Sequence, residues 1–144
     1  GNGQPPASLV PLDAVVNRYI GVGRLAQDPV LREAPSKVRY LTFILRIQWW
    51  QVMDVDKRRQ ARSLDIWTTV VGWPAERLAP HLRGGDLVQV EGHLEELIFK
   101  TPEGHRYPRI CLKAFQCRFL SAEKQAGLDA DLPTWYPAQE PPVT

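Results

Sequence analysis

An all-β barrel of five strands, with one short helix between the third and fourth and a long β-hairpin, is the fold this sequence predicts. Three observations carry that expectation. Apolar and polar residues alternate with period two over several long runs. One segment carries convincing helix start and stop signals. Glycines interrupt the strand-like runs where a closing sheet has to bend sharply. A parallel α/β sheet would need helical crossovers between most strands, and one helix cannot supply them. The size agrees: 144 residues, 44% hydrophobic and 24% charged, suit one ordinary globular domain. No apolar run approaches the roughly 20 residues that span a bilayer.

The first strand is expected over Val15 to Leu25, bent at Gly21 and Gly23 and ended by Gln27-Asp28-Pro29. The second, Val38 to Gln48, has the clearest alternation in the chain. Leu41, Phe43, Leu45 and Ile47 fall on one face, with Tyr40, Thr42, Ile44 and Arg46 on the other. From Trp49 to Arg62 the pattern lapses, and the segment reads as a long exposed connection. Leu64 to Gly72 resumes it, with Leu64, Ile66, Thr68 and Val70 against Asp65, Trp67, Thr69 and Val71. Pro74 to Leu82 reads as the helix, with proline in the first turn and Gly84-Gly85 beyond its end. Pro80 keeps it short or distorted. Asp86 to Phe99 follows as a strand, Gly92 marking a bulge or corner. Thr101 to Gly104 has turn composition, and His105 to Leu120 is the last strand. Strand, strand, strand, helix, strand, strand is the order of a Greek-key barrel of the OB type.

Charge and proline divide the chain into three. Of 13 prolines, six lie between Asn17 and Leu120, and the ends are proline-dense without apolar periodicity. Residues 1–16 therefore read as a flexible N-terminal arm, 17–120 as the barrel, and 121–144 as a short acidic, proline-rich tail. The net charge of +2 hides the same division. Residues 17–120 hold 17 basic and 11 acidic side chains, while the arms together are acidic. A basic core alone does not identify a partner.

Enzymatic constellations are not evident. Gly21-Val-Gly23-Arg-Leu-Ala26 matches a dinucleotide fingerprint in letters. However, Asp28-Pro29 stands where a helix should present its N-terminus to a pyrophosphate. His81, His93 and His105 lack a nucleophile context and form no ligand cluster, so neither metal nor cofactor is expected. Cys111 and Cys117, six apart on one strand, would share a face about 20 Å from each other, too far for a disulfide.

Aromatic and basic residues interleave instead. Trp49 and Trp50 adjoin Lys57, Arg58, Arg59 and Arg62. Phe99 precedes Lys100 at a hairpin, and Tyr107 lies across that hairpin with Arg106 and Arg109 beside it. Adjacent tryptophans on an extended chain face opposite sides, so both cannot enter one core. Phe43 reads as core, and Trp73 as a core or subunit contact. Rings that stack bases, beside cations that follow phosphates, are what single-stranded nucleic acid binding requires.

The ordered motifs resemble the bacterial and organellar single-stranded DNA-binding protein family over about Asn17 to Leu120. Gly21-Val-Gly23-Arg24-Leu25 followed by Asp28-Pro29-Val-Leu31-Arg32 is similar to its opening strand. Phe43 to Ile47 sits where its second strand would be. Trp67-Thr-Thr-Val-Val-Gly-Trp73-Pro-Ala75-Glu76 resembles its third strand and helix start. Leu82-Arg-Gly84-Gly85-Asp86-Leu-Val88-Gln-Val90-Glu91-Gly92-His-Leu94 is similar to its fourth strand and approach.

The resemblance implies an OB-fold homotetramer or dimer. It implies sequence-nonspecific coating of single-stranded DNA in replication, recombination or repair, without catalysis. Stacking is then expected at Trp49, Trp50, Trp67, Phe99 and Tyr107. Phosphate contacts are expected at Arg46, Lys57, Arg58, Arg59, Arg62, Lys100 and Arg106. Two departures stand out. The family's third-strand aromatics appear here as Asp65 and Val71, with Trp67 displaced by two residues. The family's acidic recruiting tip closes in Pro-Phe, whereas this chain closes in Pro141-Pro142-Val143-Thr144. Contacts with replication or repair proteins by that route are therefore not expected. An accessory OB protein acting mainly through protein contacts is the alternative. The expected location is cytoplasmic, with the nucleoid. Gly1 stands in place of Met, so a mitochondrial or plastid location stays open if a transit peptide has been removed.

Overall fold

In a computed structural model of the chain, residues 11–53 and 55–131 are described, Leu12 by its backbone alone. Most of the expected N-terminal arm and the tail from residue 132 onward lie outside the described residues. After a single helical turn at Leu12–Ala14, the elements are β1 (Tyr19–Leu25), β2 (Val30–Glu33), β3 (Arg39–Val52) and β4 (Arg59–Val71). They continue as α1 (Trp73–Leu78), β5 (Leu87–Lys100), β6 (Arg106–Phe119) and α2 (Ala122–Ala130).

The sheet runs β1-β5-β6-β4-β3-β2, and pairing of β1 with β3 closes the five long strands into a barrel. All pairings are antiparallel except β4 with β6, the parallel step of the OB topology. The second-strand alternation holds: Leu41, Phe43 and Leu45 are buried inside the barrel with Leu25, Val70, Val88, Val90 and Leu112. The glycines act as anticipated. A Cβ on Gly23 would stand 2.4 Å from the Arg46 carbonyl oxygen, so only glycine lets β1 and β3 close. At Gly92 a Cβ would fall 2.0 Å from the Lys113 carbonyl, and the β5–β6 register shifts between Glu91 and Gly92. The Gly21–Gly23 pair is thus a barrel seam, not a phosphate loop.

The short motifs on either side of α1 lock together. Gly84 N–H donates to the Asp28 carboxylate at 2.7 Å, and Gly85 N–H donates to the Leu25 carbonyl at 2.8 Å. Asp86, nearly buried, accepts from Arg83 N–H at 2.9 Å and from Lys124 Nζ at 2.6 Å. Asp28-Pro29 and Gly84-Gly85-Asp86 therefore hold one corner of the barrel.

Four expectations change. Trp49 to Arg62 is not a long connection: β3 continues to Val52 and β4 begins at Arg59, paired without interruption from Tyr40↔Val71 to Val52↔Arg59. The lapse in alternation arises because this ribbon projects beyond the barrel, where neither face has a core to select apolar residues. A short edge strand, β2, lies against β3 over a stretch to which the alternation assigns no element. Helix α1 stops at Leu78, since Pro80 has no N–H to continue the hydrogen-bond ladder, although Ala79 keeps helical dihedrals. Finally, Ala122–Ala130 is a second helix, capped by Ser121, whose hydroxyl accepts from Lys124 N–H at 3.3 Å. Leu128 is buried in the core, and Arg77 donates to Asp129 at 2.8 Å. His81 contacts Asp131 at the helix end. Leu128 is the one buried residue of α2, too few apolar contacts for its sequence to carry a helical period.

Candidate nucleic-acid interface

Beyond the core, the outward residues of β3, β4, β5 and β6 form a groove of about 800 Å³. Tyr40, Thr42, Trp67, Thr69 and Phe99 line it, with Arg32 and Lys113 supplying charge. Sheet register builds its aromatic wall. Phe99 pairs with Tyr107 across the β5–β6 ladder, their rings stacked at 5.9 Å and 25°. Trp67 meets Phe99 edge-on at 6.0 Å and 85°. The Arg109 guanidinium lies 5.3 Å from the Phe99 ring centre. Three of the five expected stacking residues thus form one cluster. At the groove floor the Thr69 hydroxyl is buried without a hydrogen-bond partner.

The other two aromatics stand apart on the β3–β4 ribbon. Trp50 is 65% exposed and Trp49 45%. The unbroken ladder gives Trp50 the parity of Trp67 and gives Trp49 that of Leu45, so the pair diverges to opposite faces, as neighbours on a strand must. Trp73 is half-exposed and lines a separate cleft with Arg77 and Phe115.

The expected cations do not form one stripe. Arg59 follows Trp50 on the ribbon, whereas Arg62 pairs with Trp49 on the other face. Lys57 occupies the turn at φ 58°, and Arg58 is held by Asp56. Lys100 and Arg106 pair across the second hairpin with the parity of Ile98 and Pro108, away from the Phe99 rings. Arg46 is engaged by Asp65 through two hydrogen bonds, Nε to Oδ1 at 2.8 Å and Nη2 to Oδ2 at 3.0 Å. That bonding holds the Asp65 carboxyl below its usual range and raises Arg46.

Sequence reading did not select Arg109, Arg32 or Lys113 for the groove. Arg109 was within reach, because it is two residues from Tyr107 and therefore on the same strand face. The placements of Arg32 and Lys113 depend on which strands become neighbours, a matter without a local signal.

The cysteines correct a parity argument. The Gly92 bulge leaves Phe115 as the extra residue on β6, so facing reverses along that strand. Cys117 pairs with Val90 inside the core, while Cys111 pairs with Glu95 and Trp67 on the outer side. They lie on opposite faces, not one. Both are free thiols, and burial pushes Cys117 up to about 12.

A closed five-stranded barrel with an aromatic groove across its open face is the make-up of an oligonucleotide-binding barrel. The chain belongs to the Single-strand binding protein family, whose model matches residues 16–120. It is similar to a single-stranded DNA-binding protein of Halalkalibacterium halodurans, 30% identical over 122 residues, spanning 81% of this chain and 70% of the relative. Single-stranded DNA-binding protein 3 of Listeria innocua is 31% identical over 115 residues, covering 78% and 68%. Among solved structures, a Plasmodium falciparum SSB complex with ssDNA superposes with a TM-score of 0.66 at 17% identity, over 74% of this chain and 97% of that one. At that identity the likeness is one of fold.

Proposed function

We propose that this chain binds single-stranded DNA with little sequence preference and acts, without catalysis, in replication, recombination or repair. The observation that carries this reading is the Trp67–Phe99–Tyr107 cluster with Arg109 against it, opening onto a groove on the outer barrel face. Rings at that spacing offer edges and faces to successive bases, and stacking is indifferent to base identity. The reading takes residues 17–120 as the binding unit. DNA leaves the groove along the β3–β4 ribbon, where Trp50 stacks a further base and Arg59 meets a phosphate, and it rounds the turn at Lys57 to reach Trp49 and Arg62 on the opposite face. Lys100 and Arg106 serve the strand as it rounds the second hairpin. Self-assembly into a homotetramer or dimer belongs to the same reading, as does a location with the nucleoid in a bacterial cytoplasm.

Titration with oligo-dT at low salt tests it through tryptophan fluorescence. Quenching that saturates and is reversed by salt is expected. A flat titration would reject DNA binding. Replacing both Trp49 and Trp50 with Ala should weaken binding while leaving the oligomer intact, and loss of assembly would instead assign those rings to an interface.

A further inference from the structure

We infer that Asp65 is a built-in counterion that attenuates DNA binding by keeping Arg46 from the phosphates, an inference that rests on the single-stranded DNA reading. The argument begins with the β3–β4 register. Four consecutive same-face rungs run Ile44↔Trp67, Arg46↔Asp65, Gln48↔Ser63 and Trp50↔Ala61. Trp67 marks the groove and Trp50 the ribbon, and six residues of strand separate their rungs, about 20 Å. DNA that stacks on both must pass over the Arg46–Asp65 rung.

At that rung the Arg46 guanidinium is occupied, while Arg24, its cross-strand neighbour on β1, donates to the Gly85 carbonyl and has no carboxylate partner among the described residues. Both carboxylate oxygens of Asp65 accept from Arg46, at 2.8 and 3.0 Å, in the fork geometry that a phosphate would otherwise use. The side chains are 49% and 42% exposed, so the pair lies at the surface where a strand would run and is not a core brace. A cation already neutralised releases no counterion from DNA, and the salt dependence of binding counts the cations that do. Asp65 therefore subtracts one phosphate contact at the centre of the path. The chain retains its stacking platforms but holds DNA less tightly there.

Salt titrations of the full-length chain with oligo-dT test this. Asp65→Asn should bind roughly fivefold more tightly near 50 mM salt and steepen the log affinity against log salt slope by about 0.7, the value of one single-strand phosphate. Adding Arg46→Gln should remove both gains. Glu123→Gln, on α2 and outside the face, makes the same net charge change and should leave the slope unaltered. Arg46→Gln alone gives a second, independent reading. It should weaken binding, by leaving a bare carboxylate beside the strand, without lowering the slope.

An Asp65→Asn slope equal to that of the unaltered chain overturns the inference, as does a drop of about 0.7 in Arg46→Gln alone. Failure of the unaltered chain to bind oligo-dT would end the single-stranded DNA reading itself. The two failures are thus distinguishable.

Discussion

Phe99 touches Trp67, Tyr107 and the Arg109 guanidinium, so its removal disturbs the whole wall and not one ring. Phe99→Ala should cost about 1–3 kcal/mol of DNA binding, the worth of a base stack. The same change should alter Trp67 fluorescence in the free protein. Titration of that variant with oligo-dT checks the first expectation, and an affinity equal to that of the unaltered chain would exclude Phe99 from the site. Cys117 makes a prediction of a different kind. Burial raises its pKa to about 12, whereas in the unfolded chain the thiol ionises near about 8.5. Folding thus favours the protonated form. The stability this group contributes is fully present below the unfolded value and falls as pH rises from there through about 12. Urea unfolding at pH 7 and pH 10 should show that loss, and Cys117→Ala should lessen it. Asp65 has the opposite sign: held low by Arg46, its contribution is present above the ordinary carboxylate range and is lost as pH falls through its depressed value.

At the scale of elements, α2 is the piece that sequence reading placed in a tail. Its attachments are Leu128 in the core, Gln125 Oε1 accepting from Phe119 N–H at 2.9 Å, and Lys124 on Asp86. Because Asp86 also receives Arg83 N–H, α2 braces the same corner that α1 and the Gly84-Gly85 turn form. Leu128→Ala should cost about 2–5 kcal/mol, since a large apolar side chain fully removed from water leaves a cavity. A shift of the urea midpoint checks it, and no shift would mean that α2 is peripheral. The β3–β4 ribbon teaches the complementary lesson. Its strands were legible only as far as the barrel wall extends. Alternation records burial on one face, and from Gln48 to Val52 both faces are exposed. Hairpin pairing, which needs no core, continues to Val52↔Arg59 regardless.

For the molecule as a whole, the basic barrel and the mixed placement of its cations bear on salt. Arg46 and Arg58 are held by Asp65 and Asp56, so fewer phosphates are neutralised than a count of basic residues suggests. Counting Arg32, Lys113 and Arg109 with the seven expected cations, the slope of log affinity against log salt should therefore be smaller in magnitude than about 0.7 for each of the ten. A full ten-contact slope would show that the ion pairs open on binding. Mass measurement of the free protein and of its complex, in the same experiment, tests the homotetramer or dimer.

The chain itself determined everything that a local pattern can encode. Alternation in β3 chose which residues enter the barrel, Gly23 and Gly92 marked where two backbones approach too closely for any Cβ, and Pro74 placed the start of α1. Tertiary structure alone decided which outward residues meet. Trp67 reaches Phe99 because β4 lies beside β6, which carries β5 along; Arg46 reaches Asp65 because the β3–β4 register sets them opposite. Facing on β6 reversed at a bulge for the same reason. Strand neighbours and register are fixed by closure of the whole sheet, and no stretch of sequence short enough to carry a period contains that information.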